Sequence, residues 1–136
     1  MSSTLVATTS DTSRTFSSCT SDSINITSAN LIVVDVTRIG LSTGITLTDT
    51  AGNTYIPLTE YSSGSEFGRL WYCLNPIIST TLVLTWSSTF NTFPHFAIQA
   101  WTVASATTFH SENGNNSNTN VTSLTTGSVT PPENNA

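Results

Sequence analysis

The 136 residues predict one all-β domain, an antiparallel β-sandwich with polar ends, and three observations carry that expectation. Ser and Thr dominate the composition, with Val, Ile and Leu next, whereas Glu, Lys, Met and Gln are scarce, a balance that favours strands and turns over helices. Segments of four to eight residues enriched in β-branched and aromatic side chains recur between Gly, Asn, Pro and Ser clusters. A helical period is nowhere sustained.

The expected strands are Thr4–Thr8, Arg14–Ser18, Ser23–Thr27, Leu31–Thr37, Gly44–Thr48, Thr54–Leu58, Arg69–Leu74, Thr81–Trp86 and His95–Val103. Alternation is clearest in Ile24–Thr27, Ile45–Thr48 and Leu82–Trp86, where one face is apolar and the other polar. Leu31-Ile32-Val33-Val34 is apolar on both faces and reads as a central, doubly covered strand. Period-two alternation then places Leu31, Val33, Ile45, Leu47, Leu70, Leu82, Leu84, Trp86, Ile98 and Ala100 in the core. The segment Asp49-Thr50-Ala51-Gly52-Asn53 is the strongest turn, because Gly and Asn tolerate positive φ and Asp can bond the backbone two residues on. It is expected to close a hairpin between Gly44–Thr48 and Thr54–Leu58. Asn75-Pro76 and Phe93-Pro94 should mark strand ends, since proline removes a ladder donor.

The ends differ in composition from this middle. From Ser111 onward Val121, Leu124 and Val129 are almost the only large apolar residues, too few to offset the entropy of ordering the segment alone. The expected organisation is an N-terminal arm at residues 1–13, a β-sandwich domain at 14–110 and a Ser/Thr/Asn-rich C-terminal arm at 111–136. Such arms can hydrogen-bond along a neighbour's sheet edge, so they are expected to serve assembly more than the core.

Charge and motif content exclude several function classes. No lysine is present, and Arg14, Arg38 and Arg69 are scattered, so phosphate-driven nucleic-acid binding is not expected. No run of eighteen apolar residues occurs, and no basic segment followed by an apolar one lies near Met1, so neither a membrane span nor a leader is expected. Cys19 and Cys73 are too few for a zinc site and read as buried free thiols, a disulfide being the alternative. His95 and His110 are the only histidines, no G-x-S-x-G elbow occurs, and the Asp49–Asn53 loop has too few carboxylates for calcium. No enzyme, metal or cofactor is expected.

Glu60 and Glu66 flank the Ser/Gly-rich segment Tyr61–Phe67, which looks more like an exposed connector than a cleft with paired acids. It supplies the candidate partner contacts Tyr61, Glu66 and Phe67. Trp71 and Tyr72 complete the set: being adjacent in a strand they point to opposite faces, and one of them should face water or a partner. Trp86 and Trp101 are expected in the core.

Leu31–Val36, Leu47–Tyr55 and Leu70–Cys73 together resemble Ser/Thr-rich jelly-roll modules of bacteriophage virion proteins and secreted bacterial surface proteins. The most specific pieces are Asp49-x-x-Gly52-Asn53-x-Tyr55, Leu70-Trp71-Tyr72 and Thr81-x-Val83-x-Thr85-Trp86, and the likeness covers roughly residues 20 to 108. The resemblance implies a jelly-roll-like sandwich and a non-catalytic structural virion protein. Its most concrete form is a capsid decoration (cement) protein, a homotrimer bound to the major capsid protein on the virion surface. A phage tail or fibre component, and a carbohydrate-binding or adhesin module of a secreted or cell-surface protein, are the alternatives, glycan being a partner only under the last.

Overall fold

The computed structural model describes residues 3–40, 44–89, 93–104, 112–115, 117, 123, 125, 126 and 128. Among these the chain forms eight strands and no helix: β1 (Ser3–Arg14), β2 (Ser18–Ser21), β3 (Leu31–Ile39), β4 (Thr46–Asp49), β5 (Ile56–Ser63), β6 (Glu66–Leu74), β7 (Leu84–Ser87) and β8 (His95–Val103). All pair antiparallel in one sheet of order β4-β7-β2-β1-β8-β3-β6-β5.

The sheet curls because β1 changes partner along its length. Ser3–Ser10 pair with β8 and Asp11–Arg14 with β2, and the register shifts once within each stretch. Each shift inserts an unpaired residue, which bends a strand and increases its twist. Where β1 leaves β8, the Asp11 carboxylate accepts the Phe96 N–H at 3.1 Å, standing in for the lost strand partner. Residues 3–13, expected as an arm, are therefore a strand near the middle of the sheet.

The curl brings the inner faces of both halves into one core. Cys19, Leu47, Leu82, Leu84 and Trp86 come from one half and Ile32, Val34, Trp71, Cys73, Ile98 and Ala100 from the other, all buried. Leu47, Leu82, Leu84, Trp86, Ile98 and Ala100 thus lie where alternation placed them. Leu31 and Val33 do not: they are half-buried on the outer face, and Ile32, Val34 and Val36 point inward. An unbroken apolar run carries no phase of its own, and here Asp35 and Thr37 take the outer face, with Leu31 four and Val33 two residues before Asp35. Leu70 follows the same register and is 43% exposed, while Trp71 is buried. Ile45 is half-buried against the core.

Other boundaries also differ. Arg14–Ser18 spans the turn from β1 to β2, and Ser23–Thr27 carries a single bridge, Ile24 to Leu82. β4 pairs with β7 and β5 with β6, so Asp49–Asn53 closes no hairpin. Instead, residues 50–55 join the two edge strands, and the curl must bring those edges to within one short loop. Asp49 Oδ1 accepts the N–H groups of Ala51, Gly52 and Asn53 at 2.9, 2.8 and 3.1 Å. Its Oδ2 accepts the Asn53 amide at 2.8 Å and the Tyr55 hydroxyl at 2.6 Å. Gly52 takes the positive φ of 82°. β6 ends before Asn75-Pro76 and β8 begins after Phe93-Pro94, as the prolines indicated.

Candidate interaction site on the β5–β6 hairpin

The segment Tyr61–Phe67 is less a loop than a hairpin tip. Gly64 and Ser65 alone form the turn, and Gly64 at φ 60° occupies the first central position, where the tight turns that match strand twist require glycine. Register then sorts the hairpin by face. Glu60 stands opposite Arg69 and Ser62 opposite Phe67 on the inner side, while Tyr61 opposes Gly68 and Ile56 opposes Tyr72 on the outer side.

On the inner side a charged cluster sits at the seam between the sheet edges. Arg38 of β3 is opposite Phe67, and its guanidinium lies 4.3 Å from the ring centroid, a cation–π arrangement. Its Nη2 donates to Glu60 Oε2 at 2.8 Å and its Nη1 to the Gly40 carbonyl. Arg69 Nε is 3.8 Å from the same carboxylate oxygen and makes no hydrogen bond although buried, and its guanidinium lies 5.9 Å from the Trp71 ring. These residues, with Ile45 and Trp86 from the far side of the seam, enclose a cavity of about 10 Å³. That is room for a water and not for a sugar ring. The cluster therefore closes the seam electrostatically. Burying the Arg38 side chain to 5% exposure is tolerable because its charge is paired.

The outer side carries apolar side chains on each of five strands, with the polar Thr8, Gln99, Ser10 and Asp35 among them. Leu5, Trp101, Leu31 and Leu74 form one cross-strand row, Val33, Tyr72 and Ile56 a second, and Ala97, Asp35 and Leu70 a third. Leu5, Ile56 and Leu70 are 45%, 47% and 43% exposed. Asp35 is exposed on this face, and partial shielding of its carboxyl from water raises it above the usual range. Trp101, expected in the core, lies half-buried in this outer layer with its indole N–H donating to Gln99 Oε1 at 3.3 Å.

The five candidate contacts therefore share one hairpin but not one surface. Tyr61 and Tyr72 are half-buried on the outer side, Glu66 is exposed beside the turn, and Phe67 is half-buried beneath Arg38. Trp71 is a core residue and cannot meet a partner without opening the core. Tyr72 is thus the outward member of the Trp71–Tyr72 pair. The Arg38–Glu60–Arg69 cluster and Asp35 carry no motif, but Arg38 falls in phase with the inward Val34 and Val36 once Asp35 and Thr37 are assigned outward.

The remaining reactive groups are occupied or shielded. Cys19 and Cys73 are buried free thiols; burial, reinforced by Asp11 for Cys19 and Asp49 for Cys73, pushes them up to about 12 and about 11. Protonated, enclosed thiols are poor nucleophiles and poor metal ligands. The His95 ring faces Arg14, whose Nη1 is 2.9 Å from His95 Nδ1, and Arg14 Nε pairs with Asp11 at 2.9 Å. His110 lies outside the described residues. Among the described residues no group of three His, Cys, Asp or Glu side chains could hold a metal ion.

These features define an all-β protein built on one curled antiparallel sheet, with an apolar outer face and a charged seam. Comparison with family models, curated proteins and solved structures finds no match to this chain.

Proposed function

We propose that this chain is a non-catalytic assembly protein that works through the outer face of its β1-β8-β3-β6-β5 half. The observation that carries this reading is the group of neighbouring apolar side chains on that face, Leu5, Leu31, Val33, Ile56, Leu70, Tyr72, Leu74 and Trp101, with Leu5, Ile56 and Leu70 each more than two-fifths exposed. Contiguous apolar surface of this kind marks interaction sites, whereas scattered single residues do not. Its concrete form is a structural virion protein, a bacteriophage capsid decoration protein that associates as a homotrimer and binds the major capsid protein. Support for the virion setting is the Ser/Thr-rich jelly-roll resemblance, with the two ends of the curled sheet as the two layers of the sandwich.

The aromatic arrangement weighs against the glycan-binding alternative, since Trp71 and Trp86 pack in the core and leave Tyr72 and Trp101 half-buried among aliphatic side chains. The test is quantitative proteomics of purified particles alongside a glycan array. A fixed copy ratio to the major capsid protein, with no glycan bound, supports the proposal. Absence from particles together with saturable glycan binding overturns it.

A further inference from the structure

We infer that the Phe16–Phe93 tip is the second half of the assembly interface: the aromatic pair of one copy, flanked by Arg14, docks on the outer face of the next copy around Leu70, Ile56 and Asp35. The inference rests on the assembly reading above and names the surface that meets that face.

A trimer is a cyclic assembly, and a cyclic trimer is held by heterologous contacts, in which one patch of a subunit meets a different patch of its neighbour. The outer face therefore needs a complement elsewhere on the same chain. The turn from β1 to β2 and the residues leading into β8 supply it. Phe16 and Phe93 are 60% and 52% exposed, with their rings edge to face and their centroids 5.1 Å apart. Neither ring belongs to the buried core.

The backbone beneath the pair is fixed by hydrogen bonds. The Thr15 N–H donates to the Ser18 carbonyl at 2.7 Å and the Ser18 N–H to the Thr15 hydroxyl at 3.0 Å, closing the turn that carries Phe16. The Phe93 N–H donates to the Phe16 carbonyl at 3.1 Å, and the Ser88 N–H to the Ser17 carbonyl at 2.9 Å. Phe93 itself has a φ of 44°, a left-handed conformation that strains a bulky residue, and the fully buried Pro94 pins the chain just after it. A bonded, strained backbone that holds exposed rings is preorganised for contact, because little freedom remains to be lost on docking.

Charge fits the same pairing. Arg38 and Arg69 are held in the seam, so among the described residues Arg14 is the arginine that a neighbour can meet. Asp11 pairs with its Nε at 2.9 Å, and the side chain stays half exposed beside His95. The charges around Leu70 on the outer face are acidic: Asp35 stands directly across from it, and Glu66 lies four residues before it on the same strand. Packing two outer faces together would crowd these carboxylates in a chain of net charge −5. The tip instead brings a guanidinium and two aromatic rings, the side-chain types enriched at interfaces.

The test removes one surface at a time from the full chain. Phe93→Gly deletes one ring and suits the positive φ; Phe16→Ser deletes the other and keeps the backbone bonds. Both should hold their urea midpoints within about 0.3 M of the parent. In sedimentation velocity each tip variant, like Leu70→Arg on the face, should need about tenfold or more higher concentration to associate than the parent. Mixing then tests the pairing itself. Phe93→Gly keeps an intact face and Leu70→Arg an intact tip, so the two chains together can make one good contact but cannot close a ring. A heterodimer that forms only in the mixture is the expected result. If the tip variants associate as the parent does while Leu70→Arg does not, the face assembles without the tip, and the inference falls with the assembly reading intact. If the variants stay monomeric in the mixture as they do alone, tip and face do not meet and the inference falls. A parent chain that never associates overturns the assembly reading and the inference together.

Discussion

Replacing Asp49 by Ala removes the one acceptor that organises the loop between the two sheet edges. Five donors lose their partner: three backbone N–H groups, the Asn53 amide and the Tyr55 hydroxyl. Tyr55 is only 7% exposed, so its orphaned hydroxyl alone costs about 1–3 kcal/mol, whereas the loop N–H groups can turn partly to water and add about 1 kcal/mol together. The sum is about 3 kcal/mol. With an m-value of about 2 kcal/mol/M, the urea midpoint read from Trp71 and Trp86 fluorescence should fall by about 1.5 M. Tyr55→Phe should cost about 1 kcal/mol, and the double variant should show strong coupling to Asp49→Ala. Burial opposes ionisation of Asp49, but bonds from Tyr55, Asn53 and the backbone outweigh it and hold the carboxyl below its ordinary value. A depressed folded pKa stabilises the protein above the unfolded value near 4, and that stability is lost as pH falls through the folded pKa. Asp49→Ala should therefore flatten the acid limb of the stability curve. A midpoint shift below about 0.3 M, with the acid limb unchanged, would refute this account of the loop.

Arg38→Ala should destabilise by about 3 kcal/mol in the same assay, because it leaves Glu60 and the Gly40 carbonyl without their buried partner; Arg38→Lys should recover only part of that, lacking the planar fork over Phe67. Asp35→Asn should raise the melting temperature slightly at pH 7, a gain within about 0.5 kcal/mol. Because partial shielding from water raises the folded pKa of Asp35, that gain should vanish on acidification, when the carboxyl is protonated in both states. Cys19 and Cys73 should resist a thiol reagent at pH 8 until urea unfolds the chain, after which both react at once. Their raised folded pKa also implies that stability falls as pH rises above the unfolded thiol value near 8.5 and levels off towards their folded values, about 11 and about 12.

Strand type was legible because it rests on local chemistry. β8 and the prolines beside it are read directly from residues 93–103, and Leu82, Leu84 and Trp86 alternate against Thr and Val strongly enough to set their own phase. β3 and β6 were harder, since Leu31–Val34 and Leu70–Leu74 are apolar on both sides and the phase comes from Asp35 and Thr37 through cross-strand register. The Asp49–Tyr55 turn chemistry was visible two residues at a time, but its place was not. Nothing local says that β4 and β5 lie at opposite edges of a curled sheet. Within residues 3–14 only Thr4–Thr8 reads as a strand from its own residues; the rest looks like an arm by composition and joins β1 because β8 and β2 supply partners far away in the chain. The same limit applies to the hairpin: proximity in sequence grouped Tyr61, Glu66, Phe67, Trp71 and Tyr72, and the alternation of faces then divided them.

Leu70 offers the most direct access to the claim that the outer face is an assembly surface, being exposed on β6 beside the edge strand β5 and absent from the core. The decisive measurement is sedimentation equilibrium of the full chain and of Leu70→Arg over a wide concentration range, with urea stability measured in parallel. The account predicts that the parent chain associates towards a trimer while Leu70→Arg stays monomeric with unchanged stability. A parent chain that remains monomeric throughout, or a Leu70→Arg chain that associates equally well, would contradict it.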